Sequence, residues 1–512
     1  MPTCPHCGKQ YSGFSFGSNP AQECRECRRT LPQVVNEPPA SPPSSATTDE
    51  FVLLGGDPPV VTRAIVTIDV VIFLAMAFSG ISWTEPGYLE IVRWGADFSP
   101  LTLGGEWWRL LTATFIHIGI VHIALNMWCL WSLGPVLERL MGWRAYLLMY
   151  IVSGLAGSEA SLLWRPWGGG AGASGAIFGV AGAFFSFLLL KKAPISPQFA
   201  KRRLKSVAIF IFYNLFLGAA ALRVNNAAHI GGLIAGIILG AVLPCVLPRS
   251  EEPGASRVPS LGDSSSERLQ FRRLVTVGIV STLVLIGVAS VLARHYSSIA
   301  EYGKAVSLIR ENDAAGAIPH LQSAISKDPK NVIALEMLGI LLLDQADPAQ
   351  AWGPLRDAVD LDSSDLALRH NLALAFIGAG FVEYASEQIA WARKSHDEDQ
   401  ASANFILGLA SYRSRDYEDA AKYLRLAIQN RKDFVEAQNF LAIIYSAMGN
   451  RDEARELYSA VLAQHPRDTV ALGGVEILAA IPTGPIPQDQ LPRFVIPYSK
   501  LVVRSDYWPL FP

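Results

Sequence analysis

Residues 168–179 read GGGAGASGAIFG and open an apolar run, AIFGVAGAFFSFLLL, that stops at Lys191 and Lys192. One hydroxyl, Ser174, sits among glycines at the mouth of a segment long enough to cross a bilayer. Polar groups in hydrocarbon are costly, so such a serine is a functional candidate by default. Working outward from it decides the fold.

Half of the 512 residues are hydrophobic, which is too apolar for a wholly soluble chain and too long for one domain. A transmembrane helix needs roughly 17–25 apolar residues, and seven stretches qualify: 62–82, 109–133, 143–163, 172–190, 205–222, 227–247 and 273–293. The first six cluster and the seventh follows the polar linker RSEEPGASRVPSLGDSSSER, a six-plus-one arrangement. Lys191, Lys192, Lys201, Arg202, Arg203 and Lys205 fill the loop between spans four and five, and Arg249, Arg257, Arg268, Arg272 and Arg273 flank the linker. Basic loops face the cytoplasm. Counting back puts the N-terminus in the cytoplasm, and counting forward puts everything after span seven outside a multi-pass cell-membrane protein. A net charge of −2 gives no case for nucleic acid.

Cys4, Cys7, Cys24 and Cys27 form two CxxC pairs, the spacing of a zinc ribbon. A structural zinc ion would let so short a segment fold, and thiolate ligation suits a reducing compartment; a redox or disulfide pair is the alternative. Cys129 and Cys245, alone in apolar runs, are expected to be small buried hydrophobes. The Pro/Ser/Thr stretch NEPPASPPSSATTDE reads as a disordered linker.

Beyond span seven, small residues recur at Ala317, Ala351, Ala385, Ala420 and Ala454, and in phase at Gly339, Ala373, Gly408 and Ala442. A step of 34 residues is the signature of tetratricopeptide repeats, in which small residues let paired helices pack closely. About five repeats run from near 298 to 468, followed by a capping helix and a Pro/aromatic tail, IPTGPIPQDQLPRFVIPYSK onward, with no assigned role. Such arrays bind protein or peptide; a purely structural stalk is the alternative.

Within the bundle the informative polar residues are few. His117, His122 and Asn126 lie in RLLTATFIHIGIVHIALNMWCLW, and His229 opens AAHIGGLIAGIILG. His122 and Asn126, four apart, share one face of a helix. The charge count sends spans four and six inward from the outer side, so Ser174 and His229 fall at a common shallow depth. Gly175 and Gly179, with Gly232, Gly236 and Gly240, permit close helix approach. Alone they would mean packing only; with a serine on one helix and a histidine on the other they bring chemistry together.

The chain resembles the rhomboid intramembrane serine proteases. The resemblance rests on GASG at 172–175, AHIGG at 228–232, HIGIVHIALN at 117–126, the preceding WWRLLT, and GPVLERLMG with Glu138 and Gly142, and covers approximately 60–250. It implies Ser174 as nucleophile and His229 as general base, with His122, Asn126 and the Ser174 amide forming an oxyanion hole that Gly172 helps to shape. His117 would be structural or water-organising. Phe178 stands where many relatives have a tyrosine stacked on the histidine. No cofactor is needed for such catalysis.

Other chemistries fit less well. There is no HExxH, and Asp69 in span one has no acidic mate, which leaves it near the cytoplasmic end or facing the bundle interior. A metal site from His117, His122 and His229 is disfavoured because i, i+5 spacing on span two would aim His117 and His122 apart. A transporter would show mid-bilayer charges and an internal duplication, and neither is visible.

The expectation is therefore an all-α chain: zinc ribbon (1–32), disordered linker (33–60), polytopic helical bundle (61–250), polar linker (251–272), seventh span (273–293), α-solenoid of repeats (298–481) and tail (482–512). It would cleave transmembrane protein substrates near the outer face while extracytoplasmic repeats recruit substrates or partners. An inactive membrane scaffold presenting the repeats is the competing reading.

Overall fold

The computed structural model describes residues 58–191, 196–220, 224–246, 264–392, 400–481, 483–492 and 498. The Cys4, Cys7, Cys24 and Cys27 set, most of the first linker, Lys192, the stretch 251–263 and the chain beyond 498 lie outside the described residues. Among the described residues, no group of histidine, cysteine and carboxylate side chains is arranged to hold a metal ion.

The chain folds as an all-α membrane bundle followed by a helical solenoid. The bundle comprises α1 (Val60–Phe78), α2 (Tyr88–Arg93), α3 (Ser99–Gly104), α4 (Arg109–Thr112), α5 (Gly119–Met141), α6 (Trp143–Trp164), α7 (Ser174–Leu189), α8 (Pro197–Ala220), α9 (Asn226–Val246) and α10 (Ser264–His295). Among the described residues, α1, α5, α6, α9 and α10 are long and apolar enough to span a bilayer. Two expected spans are modified. The fourth is a 16-residue helix, α7, about 24 Å long, and it is shielded by neighbours: almost every residue from Gly175 to Leu188 is buried. The fifth, α8, begins at Pro197 and so takes Lys201, Arg202, Arg203 and Lys205 into its own first turns. α10 begins at Ser264, inside the expected polar linker.

The second span also starts late. The apolar run from 109 is divided into α4, a single 3-10 turn at Ala113–Phe115 and an extended Ile116 before α5 begins at Gly119. Gly119 holds φ at +79°, a conformation that favours glycine. Beside it, the Ile120 amide donates to the Trp83 carbonyl at 2.7 Å, so the break is pinned to the connection after α1.

α1 is anchored by a carboxylate from α5. Glu138, buried, accepts from the amides of Val61 and Thr62 at 2.8 Å each and from the Thr62 hydroxyl at 2.7 Å. Two amides of the first helical turn, which have no intrahelical partner, are satisfied this way, and the negative charge sits at the positive end of the helix dipole.

The solenoid follows directly: α11 (Ser297–Arg310), α12 (Ala314–Lys327), α13 (Val332–Asp344), α14 (Pro348–Leu361), α15 (Leu366–Ala379), α16 (Val382–Ala392), α17 (Gln400–Arg413), α18 (Tyr417–Asn430), α19 (Val435–Met448), α20 (Arg451–Gln464) and α21 (Thr469–Ala480). Ala317, Ala351, Ala385, Ala420 and Ala454 are completely buried, one in each second helix of a pair. Gly339 and Gly408, in the partner helices, face Leu355 and Leu424 so closely that a Cβ there would collide. The 34-residue period is thus a packing requirement repeated. Asp313, Asn331, Asp347, Asp365, Asp416 and Asp468 cap six of the repeat helices by accepting backbone N–H bonds. The described part of the tail folds back on the array: Ile486 is buried and donates its N–H to the Ser446 carbonyl at 3.0 Å, and Tyr498 is buried with its hydroxyl against Gly378.

The two single cysteines depart from expectation. Cys129 is half-buried and Cys245 exposed, because α5 and α9 turn these positions towards the bundle periphery, where lipid rather than protein would cover an apolar side chain.

Candidate active site

Ser174 is the first residue of α7 and His229 lies in the first turn of α9. Their helices pack at backbone distance. A Cβ on Gly232, Gly236 or Gly240 would overlap the carbonyls of Gly175, Gly179 or Ala183 in turn. With the backbones this close, His229 Nε2 stands 2.9 Å from Ser174 Oγ, within the range of a hydrogen bond. Phe178, one turn below the serine, stacks on the imidazole with centroids 4.2 Å apart and planes at 10°. The ring is thereby held edge-on to the hydroxyl. Asn225 secures the same helix end: its side chain donates to Ser161 Oγ at 2.5 Å and accepts from the Ala228 amide at 3.2 Å.

The loop before Ser174 is fixed from several sides. β1 (Asp97–Phe98) pairs antiparallel with β2 (Gly169–Gly170), the Ser99 amide donates to the Gly168 carbonyl at 2.8 Å, and Ser99 Oγ to that of Arg165 at 3.0 Å. The Gly172 amide donates to the Ala113 carbonyl at 2.8 Å. Gly172 itself has φ +119° and lies flat against His122: a Cβ would stand 2.6 Å from Cε1 and 2.8 Å from Nε2 of that ring. His122 Nδ1 accepts from the Ile118 amide at 3.2 Å, so in the neutral ring the proton is on Nε2, the atom facing the serine loop. Asn126 donates from Nδ2 to the His122 carbonyl at 3.0 Å, one turn along α5.

His117 occupies a different position from the one its spacing suggests. It precedes α5 in the extended break, so the helical argument that aimed it away from His122 does not apply. The two rings meet edge to face at 5.3 Å. His117 Nε2 accepts from the Ala173 amide at 3.4 Å, and Nδ1 faces Asp69 Oδ1 at 3.9 Å, both side chains being fully buried. Asp69 therefore faces the bundle interior, and its counterpart is a histidine rather than a second acid.

Beside Ser174 lies a cavity of about 40 Å³ lined by Asp97, Ser158, Ser161, Gly172, Ser174 and Asn225, room for a few water molecules among polar partners. Ser158, Ser161, Asn225 and Asp97 were not among the sequence candidates. The available signal was the SEAS run at 158–161, whose two hydroxyls, three residues apart, share a helix face at the C-terminal end of span three.

A model of the rhomboid domain matches residues 104–244. Tetratricopeptide repeat models match residues 302–365, 370–433 and 412–474. The putative rhomboid protease YdcA of Bacillus subtilis is 30% identical over 170 residues, which are 32% of this chain and 83% of that protein. The chain belongs to the rhomboid family. Rhomboid protease GluP of the same organism is 30% identical over 318 residues, 62% of this chain and 58% of GluP. RHOMBOID-like protein 6, mitochondrial, of Arabidopsis thaliana is 37% identical over 150 residues, 29% of this chain and 48% of that protein. The chain thus spans about half the length of these two relatives. As a rhomboid it is a multi-pass membrane protein, and its repeats form a solenoid on the same side of the bundle as the Ser174 loop, since α11 packs against α3 and Tyr302 against Trp167.

Proposed function

We propose that this rhomboid is an intramembrane serine endopeptidase. The observation that carries the reading is the 2.9 Å approach of His229 Nε2 to Ser174 Oγ beneath a ring that Phe178 holds in place. His229 would take the Ser174 proton as Oγ attacks the scissile carbonyl, then return it to the leaving amine. Water from the polar cavity would hydrolyse the resulting ester, with His229 again the base. Negative charge on the tetrahedral oxygen would meet His122 Nε2–H, Asn126 and the Ser174 amide, the last at a helix N-terminus. The resting dyad carries no formal charge, which suits a site walled by hydrocarbon.

Substrates would be transmembrane segments entering from the side. A groove of about 220 Å³ between α5, α7 and α8, lined by Trp128, Leu133, Phe184 and Phe210 with Ser206 and Arg203 at its polar edge, would hold a distal part of such a segment, since Phe184 lies about 15 Å along α7 from Ser174. The basic first turns of α8 support a cytoplasmic α7–α8 connection, hence a cytoplasmic N-terminus and extracytoplasmic repeats recruiting proteins or peptides. The CxxC pairs at Cys4, Cys7, Cys24 and Cys27 would hold a structural zinc ion in the cytoplasm.

The test compares wild type with Ser174→Ala for cleavage of a tethered single-span reporter, alongside labelling by a serine-reactive fluorophosphonate. Cleavage and labelling of wild type alone are expected. Equal cleavage by both proteins, or no labelling of folded wild type, would overturn the protease reading.

A further inference from the structure

The repeats do not hang from the seventh span by a loose tether. α10 runs almost directly into α11, and α11 lies against α3 in the connection between the first two spans. The crossing is built on glycine at both helices: a Cβ on Gly303 would overlap the Pro100 carbonyl, and one on Gly104 would stand 2.7 Å from the Gly303 carbonyl carbon. Around this point the hydrophobic core of the repeats continues without interruption into the bundle, since Val92, Phe98 and Leu101 join Tyr302, Ala305 and Val306 in one buried cluster. A second cluster unites Leu103, Leu110 and Leu162 with Leu292, Ile299 and Ala300. Polar contacts close the edges. Glu106, held by Arg109 at 2.7 Å, accepts from Ser307 Oγ at 3.0 Å and Arg310 Nη1 at 3.2 Å, and the Tyr296 hydroxyl donates to the Leu163 carbonyl at 2.9 Å.

The surface that α11 grips is the one that holds the nucleophile's loop. α3 follows β1, β1 pairs with β2, and Ser99 at the start of α3 bonds both Gly168 and Arg165. From β2 it is four residues to Ser174. α11 also touches the loop directly, through Tyr302 edge to face on Trp167 at 5.3 Å. A buried, close-packed contact of this kind transmits displacement because interiors have little free volume to absorb it.

We propose that the first repeat helix is a positioning element of the peptidase, resting on the reading of Ser174 as nucleophile. By clamping β1–α3 against residues 165–170 it fixes the loop that carries Ser174. Whatever the repeats bind is then held at a constant offset from the site, so that recruitment raises local substrate concentration without the length penalty of a flexible linker.

The experiment uses the full chain in detergent micelles and reads the second-order rate of fluorophosphonate labelling, with kcat and KM on a single-span reporter that lacks any extramembrane domain. Gly303→Leu inserts a side chain where a Cβ already overlaps backbone. Labelling at least tenfold slower than wild type is expected, with kcat rather than KM falling. Trp167→Ala and Tyr302→Ala each remove one ring of the direct contact, and if that contact positions the loop the double variant labels no more slowly than the slower single variant. Should Gly303→Leu lose its repeat helicity, the Trp167/Tyr302 cycle decides alone. Labelling of folded Gly303→Leu within twofold of wild type, or multiplicative effects in the cycle, overturns the proposal while leaving Ser174 as nucleophile. Wild type that takes no label overturns that assignment and the positioning role with it.

Discussion

Gly172→Ala tests the oxyanion arrangement at its tightest point. The methyl group would start 2.6 Å from His122 Cε1, and ordinary contact begins near 3.4 Å, so ring or loop must give by about 0.8 Å. The ring is not free to yield, because Nδ1 is tied to the Ile118 amide and the ring packs edge to face with His117. Alanine is also strained at φ +119°, by about 1–3 kcal/mol. A misplacement near 1 Å in a catalytic array costs about 10²-fold in rate, and loss of one oxyanion donor about 2.7–4 kcal/mol, or 10²–10³-fold. Gly172→Ala should therefore lower kcat for reporter cleavage by about 10²-fold with little change in KM. His122→Ala should do the same, and the double variant should fall well short of the product of the two single effects, since the clash with the ring is gone and only the backbone strain at 172 remains. Gly172→Ala within threefold of wild type, or a double variant slowed by the product of the two single effects, would refute the placement of His122 Nε2–H at the reacting carbonyl.

Glu138→Ala leaves two amides and a hydroxyl of α1 without their acceptor in a buried setting; each buried donor left unsatisfied costs about 1–3 kcal/mol, to be read as a lower unfolding midpoint on titration of mixed micelles with sodium dodecyl sulfate, with Glu138→Gln recovering part of the loss. Asp69→Leu should slow fluorophosphonate labelling about tenfold while Asp69→Asn stays near wild type, because His117 Nε2 accepts from Ala173, leaving Nδ1–H to seek an oxygen that asparagine can still offer; equal rates for the two variants would remove Asp69 from the serine loop's support. Asp97 lies in the connection between the first two spans, where burial pushes its carboxyl up to about 6 against the lowering effects of Thr102 and Arg109. Its folded value exceeds the unfolded 3.8, so its contribution is most favourable below pH 3.8 and is lost as pH rises through about 6, by about 3 kcal/mol. Asp97→Asn should accordingly match wild type near pH 4 and unfold at a higher temperature near pH 8.

How much was legible in the sequence follows from what each feature depends on. The repeats were readable because a helix pair must place a small residue at one fixed point, so Ala317 through Ala454 mark the period by themselves. The approach of Ser174 to His229 was readable because the glycines mark which two spans pack at backbone distance. The start of the second span was not, since RLLTATFIHIGIV is predominantly apolar and the break is made by the backbone at Ile116–Gly119. His117 was misdirected for the same reason: once the helix is removed, five residues of separation imply nothing about facing. Asp69 and His117 lie 48 positions apart on separate elements, and Glu106 and Ser307 lie 201 apart. Pairings at that range leave no local pattern. Cys245 shows the converse limit, because an apolar run in a membrane chain does not distinguish a side chain facing protein from one facing lipid.

Three glycine contacts share a physical logic that ties the fold to the chemistry. Gly232 and Gly236 set the approach of α9 to α7 and hence the distance from His229 to Ser174. Gly172 sets the distance of the loop from His122, and the Gly104–Gly303 crossing sets the repeats on the segment that braces that loop. At the α7–α9 and Gly104–Gly303 crossings the spacing is fixed by backbone against backbone, with no side chain to change rotamer, and at Gly172 by backbone against the His122 ring. A hydroxyl and an imidazole at a bilayer edge lack the dense polar network that orients a triad in a soluble protease. Here orientation is supplied by steric closeness, which hydrocarbon does not weaken, and the few hydrogen bonds present, from Ile118 to His122 and from Ala173 to His117, then select which nitrogen carries the proton.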